Sequence, residues 1–371
     1  MPFSPQQIVL DANTRIADYW LRKPSALLLE AFLRRTNGKL VIPRIVIEEV
    51  KNKHNQHIAE ATEIFRIAAK KIAEADKKLS GLLDVESEVN LNEPQSDKSY
   101  SAFLDNKLKA LQATIDDYAD VKHESVVKRA ITKKRPFRSD DKGYRDTLLW
   151  ESALKVCDPG VSTAFISNDG EAFWKDDDLH PDLKEDLNAK GVPSDQFRIF
   201  KSLSAFTDEC VLPLLTQERD YLTLIKSHKF EDLDIAEEIA LNDDVISEAL
   251  DSRPKMMRDD AEYSEPTVTG VYQAKDIKVT EASEASDKIL VVSLEFTVEV
   301  NYSFFLNHAD AVSLEEDEHV VDWEWNEHTA RVETTRPFFV SALIAFNLED
   351  RDVESFEIEE IKREWRSWQD Y

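Results

Sequence analysis

The stretch FISNDGEAFW, residues 165–174, decides how the rest of the chain is read. Phe165 to Ser167 end a short buried strand, and Asn168-Asp169-Gly170 turns the chain. Asn, Asp and Gly tolerate turn backbones, so a turn alone accounts for Asp169. A carboxylate at a strand tip means more if other strands end the same way. QQIVLDAN (6–13) does so, with Ile8-Val9-Leu10 as an apolar strand stopping at Asp11. KLVIP (39–43) is a second such strand, and Pro43 suits the first turn of a helix, RIVIEEVKNK, that carries Glu48 and Glu49. PSALLLEAFLRRT (24–36) has a strong helical face and stops at Asn37-Gly38. DTLLWESALKV opens a further helix at Asp146, and FRIFKS (197–202) is a last strand. This β-α-β-α alternation predicts an α/β fold, a parallel sheet sandwiched by helices.

Residues 52–79 predict one long helix, because Ile58, Ala61, Phe65, Ala68, Ile72, Ala75 and Leu79 recur at spacings of three and four. Residues 84–98 are polar and interrupt it, and a second helix is expected from about Tyr100 to Arg129. The pair reads as a helical hairpin inserted over about 52–130. Residues 216–262 read as an acidic helical connector. From residue 263 the period changes to two. In VSLEFTVEVNYSF (292–304) the even positions are apolar and the odd ones polar, a long strand with one buried face. VVDWEWNEHTARVE predicts a hairpin turning near Asn326-Glu327, and FFVSALIAFNL and SFEIEEI add strands. Residues 263–371 are therefore expected to form a mainly antiparallel β (α+β) domain.

The formal net charge of -27 taken alone argues against nucleic acid as a partner, but its distribution does not. Residues 228–371 hold 13 Lys+Arg against 37 Asp+Glu, a net -24, and residues 1–227 only -3. Residues 122–145 hold nine Lys+Arg against three Asp+Glu. Charge asymmetry of this kind points to separate tasks for separate domains. No run of about 18 apolar residues predicts a membrane span. The first residues lack a signal peptide's basic and apolar regions, so a cytoplasmic location is expected. Cys157 and Cys210 read as reduced core thiols.

In a parallel sheet, strand C-termini and the helix N-termini that follow share one edge, where ligands bind. Asp11, Glu48 or Glu49, Asp146 and Asp169 would meet there. Such a cluster repels itself unless cations neutralise it. Hard oxygen ligands suit Mg²⁺ or Mn²⁺, and such ions lower the pKa of a bound water and steady a phosphodiester's leaving oxygen. No CxxC, HExxH, GxGxxG or phosphate-cradling glycine loop is present.

IVLDAN, VIPRIVIEEV, GYRDTLLWE and FISND together resemble the acidic motifs of the PIN-domain nucleases. KKRPFRSDDKGYRDTLLWE resembles more particularly a bacterial PIN-like subfamily. The resemblance covers roughly residues 7–210 and implies a nuclease domain over 1–215. It implies Asp11 as first metal ligand, supported by Asn13. Glu49, which directly precedes Val50, is implied as the second acid, with Glu48 as the alternative. Asp146 and Asp169 are implied as third and fourth. Ser167 and Asn168 are implied to orient substrate or water, and Glu151 to be an outer acid. The implied activity is metal-dependent endonuclease cleavage, RNA favoured and single-stranded or structured DNA the alternative substrate. A stress or phage-defence effector is the biological role suggested by analogy. The rival expectation is a catalytically silent module that binds nucleic acid or protein.

The basic block places Lys133, Lys134, Arg135, Arg138, Lys142 and Arg145 just ahead of Asp146, where they are expected to hold phosphates. Arg44 is a further candidate. The acidic C-terminal domain is expected to repel phosphate and to serve a protein partner or self-association. His54 and His57, at i and i+3 on a helix, are expected to be solvated. Trp323 and Trp325 are expected in the core, and the acidic run LEEDEH (314–319) in an exposed loop.

Overall fold

The computed structural model describes residues 3–16, 18–78, 96–138, 142–215, 225, 235–315, 317–350 and 352–363. The chain divides into two compact units. One comprises residues 1–21 and 32–213, the other residues 22–31 and 214–371. Among the described residues no helix is long and apolar enough to cross a membrane.

The first unit is built on a five-stranded sheet. Its strands are β1 (Gln7–Leu10), β2 (Lys39–Pro43), β3 (Thr114–Asp116), β4 (Thr163–Ile166) and β7 (Phe197–Phe200), all parallel, in the order β3-β2-β1-β4-β7. A small hairpin, β5 (Trp174–Lys175) and β6 (Asp178–Leu179), lies between β4 and β7 in sequence. Ile8, Val9, Ala164, Phe165 and Ile166 are fully buried, as expected of strands covered on both faces. The helices are α1 (Ala12–Ile16), α2 (Pro24–Thr36), α3 (Arg44–Lys78), α4 (Ser96–Ala110), α5 (His123–Ile131), α6 (Tyr144–Val156) and α7 (Pro181–Ala189). The chain runs outward from β1 through β2 to β3, then returns to place β4 on the other side of β1. That reversal makes the C-terminal ends of β1 and β4 the crevice where open α/β sheets bind ligands.

Two expectations for the insertion are corrected. The helix after Pro43 and the helix of 52–79 are one element, α3, since nothing between Arg44 and Lys78 interrupts it. The helix expected from Tyr100 to Arg129 is broken. It ends at Ala110, Gln112 takes a left-handed backbone (φ 52°), and β-branched Thr114-Ile115 pair with Val41-Ile42 as the sheet's edge strand. The packed helix pair is therefore α3 with the shorter α4, and the residues after Ala110 add β3 to the sheet. The polar break at 84–98 falls up to residue 95 outside the described residues, as does most of the expected connector before residue 235.

The second unit is an antiparallel sheet around two 19-residue strands, β10 (Ile289–Asn307) and β12 (Thr329–Asn347), paired over their full length. β9 (Lys275–Ser286) and β13 (Asp352–Arg363) flank one half. β8 (Thr267–Val271) and β11 (Glu318–Asp322) flank the other. Leu290, Val292, Leu294, Phe296, Val298, Val300, Tyr302 and Phe304 form the buried face that the alternation predicts. Helices Ile235–Leu241 and Asp243–Asp251 add Ile239, Ile246 and Leu250 to this core.

Three side-chain expectations are also corrected. His54 is buried and stacked on Tyr100 (3.9 Å between ring centroids), because α4 packs against α3 at that level. His57 is exposed, as expected, and its ring bonds the Tyr19 hydroxyl at 3.0 Å. Trp323 and Trp325 are half exposed, since they sit in the turn after β11 rather than on its buried face. The LEEDEH run is not simply solvated: Arg336 pairs with Asp317 at 2.7 Å and Arg258 with the buried Glu318 at 2.6 Å.

Candidate active site

Asp11 follows the last residue of β1 and is nearly buried (7% exposed). Its backbone N–H donates to the Ile166 carbonyl at 3.0 Å, which continues the β1–β4 ladder and fixes the side chain at the crossover. The carboxylate accepts from the Ala12 N–H at 2.5 Å and from the Ser167 hydroxyl at 2.6 Å. Ser167 Oγ also accepts from the Asp169 N–H at 3.2 Å, so one hydroxyl ties the tips of β1 and β4 together. Asp169 Oδ1 accepts from the Ala172 N–H at 2.8 Å. Asp169 is thus a turn residue, and its charge also reaches Asp146.

Asp146 lies in the first turn of α6, capped by Gly143 in a left-handed conformation (φ 110°). A Cβ on Gly143 would lie 2.3 Å from the Pro136 carbonyl oxygen, so glycine is required where the basic loop passes the helix start. The Gly143 carbonyl accepts from the Thr147 N–H and hydroxyl, at 2.9 and 2.8 Å.

Burial pushes the Asp11 carboxyl up to about 6, and the charges of Asp146 and Glu49 add to the rise. Its hydrogen bonds from Ser167 and Ala12 oppose it. Asp146 is also raised to about 6, by burial first and then by Asp169, with Glu49 adding and Arg138 and Arg145 opposing. Asp11, Glu49, Asp146 and Asp169 therefore share one field. Among the described residues no three of them stand close enough to chelate a single ion. They face one another through charge rather than direct contact.

The other predicted residues fall into distinct groups. Glu49 is ion-paired to Arg145 at 2.6 Å. Glu48 is exposed and accepts from the Tyr118 hydroxyl at 3.1 Å. Asn13 and Asn168 are exposed, and among the described residues neither bonds Asp11. Glu151 faces Arg129 at 3.9 Å, and burial pushes its carboxyl up. Arg44 is tied to Asp117 at 2.8 Å. The basic block splits in two. Lys134 bonds Asp186 at 2.9 Å, and the Arg135 N–H donates to Asp182 at 2.9 Å, both on α7. Arg138, paired with Glu171, and Arg145 turn their charge toward Asp146. Lys133 and Lys142 are exposed.

Sequence reasoning missed Asp186. It gathers Lys134, the buried Arg129 and the Trp150 indole N–H (2.9 Å), and so locks α5, the basic loop and α6 onto α7. No local pattern marks it, because its partners lie 36 to 57 residues away. Gly143 was legible in principle, as one of only seven glycines, set between a charged loop and a helix start.

No curated protein matches the chain. Residues 8–173, from β1 through the turn after β4, match the family model described as PIN domain. The parallel sheet and the acids at its crossover agree with that match, which marks residues 8–173 as a PIN domain.

Proposed function

We propose that this chain is a divalent-cation-dependent endonuclease acting through Asp11, Glu49, Asp146 and Asp169, with RNA as its substrate. The observation that carries the reading is the shared field of acids from separate stretches of sequence, at the crossover edge of the parallel sheet. Two carboxylates held above their ordinary range by burial and mutual repulsion gain stability from a hard cation, and an all-oxygen donor set fits Mg²⁺ or Mn²⁺. Asp11, held at both oxygens, is the most rigid ligand. Glu49 is preferred to Glu48, since its charge reaches Asp11 and Asp146 while Glu48 turns to Tyr118.

A cation of this class supplies the positive charge that activates water and steadies the leaving oxygen. The rest falls to the chain. Ser167 orients Asp11, Arg138 and Arg145 draw phosphates past the acids, and Asn13 and Asn168 meet substrate at the exposed rim. Lys133 and Lys142 extend the cationic approach. Preference for RNA over single-stranded or structured DNA rests on the family resemblance. A cytoplasmic stress or phage-defence role rests on analogy. The acidic second unit is proposed to serve a protein partner or self-association.

One observation favours a second reading, a catalytically silent binding module: among the described residues no three acids close to chelating distance. Turnover separates the two. Labelled single-stranded RNA, single-stranded DNA and flap DNA, incubated with Mn²⁺, Mg²⁺ or EDTA, are expected to show cation-dependent cutting by wild type. Asp146→Asn is expected to abolish it. Tight substrate binding with no cutting under any condition would favour the silent module.

A further inference from the structure

One end of the second unit carries a surface that the nuclease reading does not use. β11 lies at the edge of its sheet and pairs with β12 alone. Natural edge strands are usually blunted with lysine, proline or cover, because an open edge invites another strand. β11 has neither lysine nor proline; its short length, its bulge between Val320 and Asp322 and the inward Glu318 leave the stretch from Val320 toward the turn as its accessible part. It presents Val321 at 42% exposure and leads into Trp323 and Trp325, each at 50%. Large aromatic side chains left in water in a turn beside a sheet edge are characteristic of recognition surfaces.

The chemistry of the surface specifies what it takes. Asp322, Glu324 and Glu327 are exposed around the two indoles, and among the described residues none has an ion pair. The same end of the sheet shows how it treats a cation. Arg331 lies over the Trp325 ring at 5.9 Å, and Arg258 lies over Phe304 at 3.9 Å while bonding Glu318. Guanidinium groups stacked on rings and neutralised by flanking carboxylates are therefore already the mode of this sheet end. The net -24 of residues 228–371 adds long-range attraction for a basic partner and repulsion for nucleic acid.

We propose that β11 and the Trp323–Trp325 turn form a docking site for an extended, arginine-bearing segment of a protein partner. The segment adds to the sheet edge as a strand, with alternate arginines over the two indoles and against Glu324 and Glu327. The proposal is independent of the metal site and of nuclease activity.

The test uses the full chain and a fluorescein-labelled peptide of alternating Arg and Val, with a Glu-Val peptide as control, followed by anisotropy at physiological salt. The Arg-Val peptide is expected to bind and the Glu-Val peptide not to. Trp323→Ala/Trp325→Ala is expected to weaken binding about tenfold. Glu324→Gln/Glu327→Gln, which disturbs no packing, is expected to weaken it several-fold. Binding left unchanged by both double variants would reduce the effect to bulk charge and overturn the proposal. So would absence of binding by the wild type. A dimer of the full chain that the Trp variant dissolves, or single-stranded RNA bound through the same tryptophans, would assign the surface to a different occupant and overturn it too.

Discussion

Asp11 is the residue on which most of the account rests, and its energetics make it testable without substrate. In the unfolded chain its carboxyl releases its proton near 3.8, and in the fold it holds it up to about 6. Between those values the native state binds more protons, so the free energy of unfolding falls as pH rises through that window. At neutral pH the charged Asp11 thus destabilises the protein when no cation offsets it. Asp11→Asn, with EDTA present, is predicted to melt higher than wild type at pH 7.5, with the gap closing as pH falls toward 4. A gap independent of pH would contradict the electrostatic origin. Arg145 and Lys134 make a second pair of predictions. Arg145, 63% exposed beside Glu49, is predicted to contact phosphate, so Arg145→Gln should weaken RNA binding and lower its salt slope by about one. Lys134 is committed to Asp186 and Glu185, so Lys134→Gln should lower the melting temperature and leave that slope unchanged. Sequence alone grouped the two, because a basic run carries no information on which way each side chain turns.

At the scale of elements, the position of Asp146 depends on how α6 begins. Gly143 is the pivot, and Gly143→Ala adds a methyl where the Pro136 carbonyl already sits and forces a left-handed alanine. It is predicted to cost more than about 1 kcal/mol in urea unfolding and to reduce Mn²⁺ binding by displacing Asp146. A variant that melts and binds as wild type would show the loop to be less constrained. The strands that deliver the acids were legible from sequence, since β1, β2, β4 and β7 are short apolar runs ended by polar residues. So were β10 and the β11–β12 turn, from strict alternation. β3 was not, because three residues between helices carry almost no periodicity, and only the neighbouring strand β2 tells Thr114–Asp116 to extend. His54 was misjudged for a related reason. Its burial depends on Tyr100, which sequence separates from it by a long interval.

Across the whole molecule, two units of different charge and architecture carry different chemistry. The first gathers acids at the crossover of a parallel sheet, and the second exposes acids and aromatics on an antiparallel one. Residues 22–31 grouping with the second unit had no sequence signal, because α2 is one continuous helix by pattern. The acids of the first unit are proposed to share one divalent cation. This sharing is tested most directly by Mn²⁺ titration of the full chain by calorimetry, comparing wild type with Asp11→Asn, Glu49→Gln, Asp146→Asn, Asp169→Asn and, as control, Glu48→Gln. Each of the four variants is expected to weaken Mn²⁺ binding by about tenfold or more, as loss of a charged ligand should, while Glu48→Gln binds as wild type. Wild type that takes up no Mn²⁺, or a Glu48→Gln variant as impaired as Glu49→Gln, would contradict it.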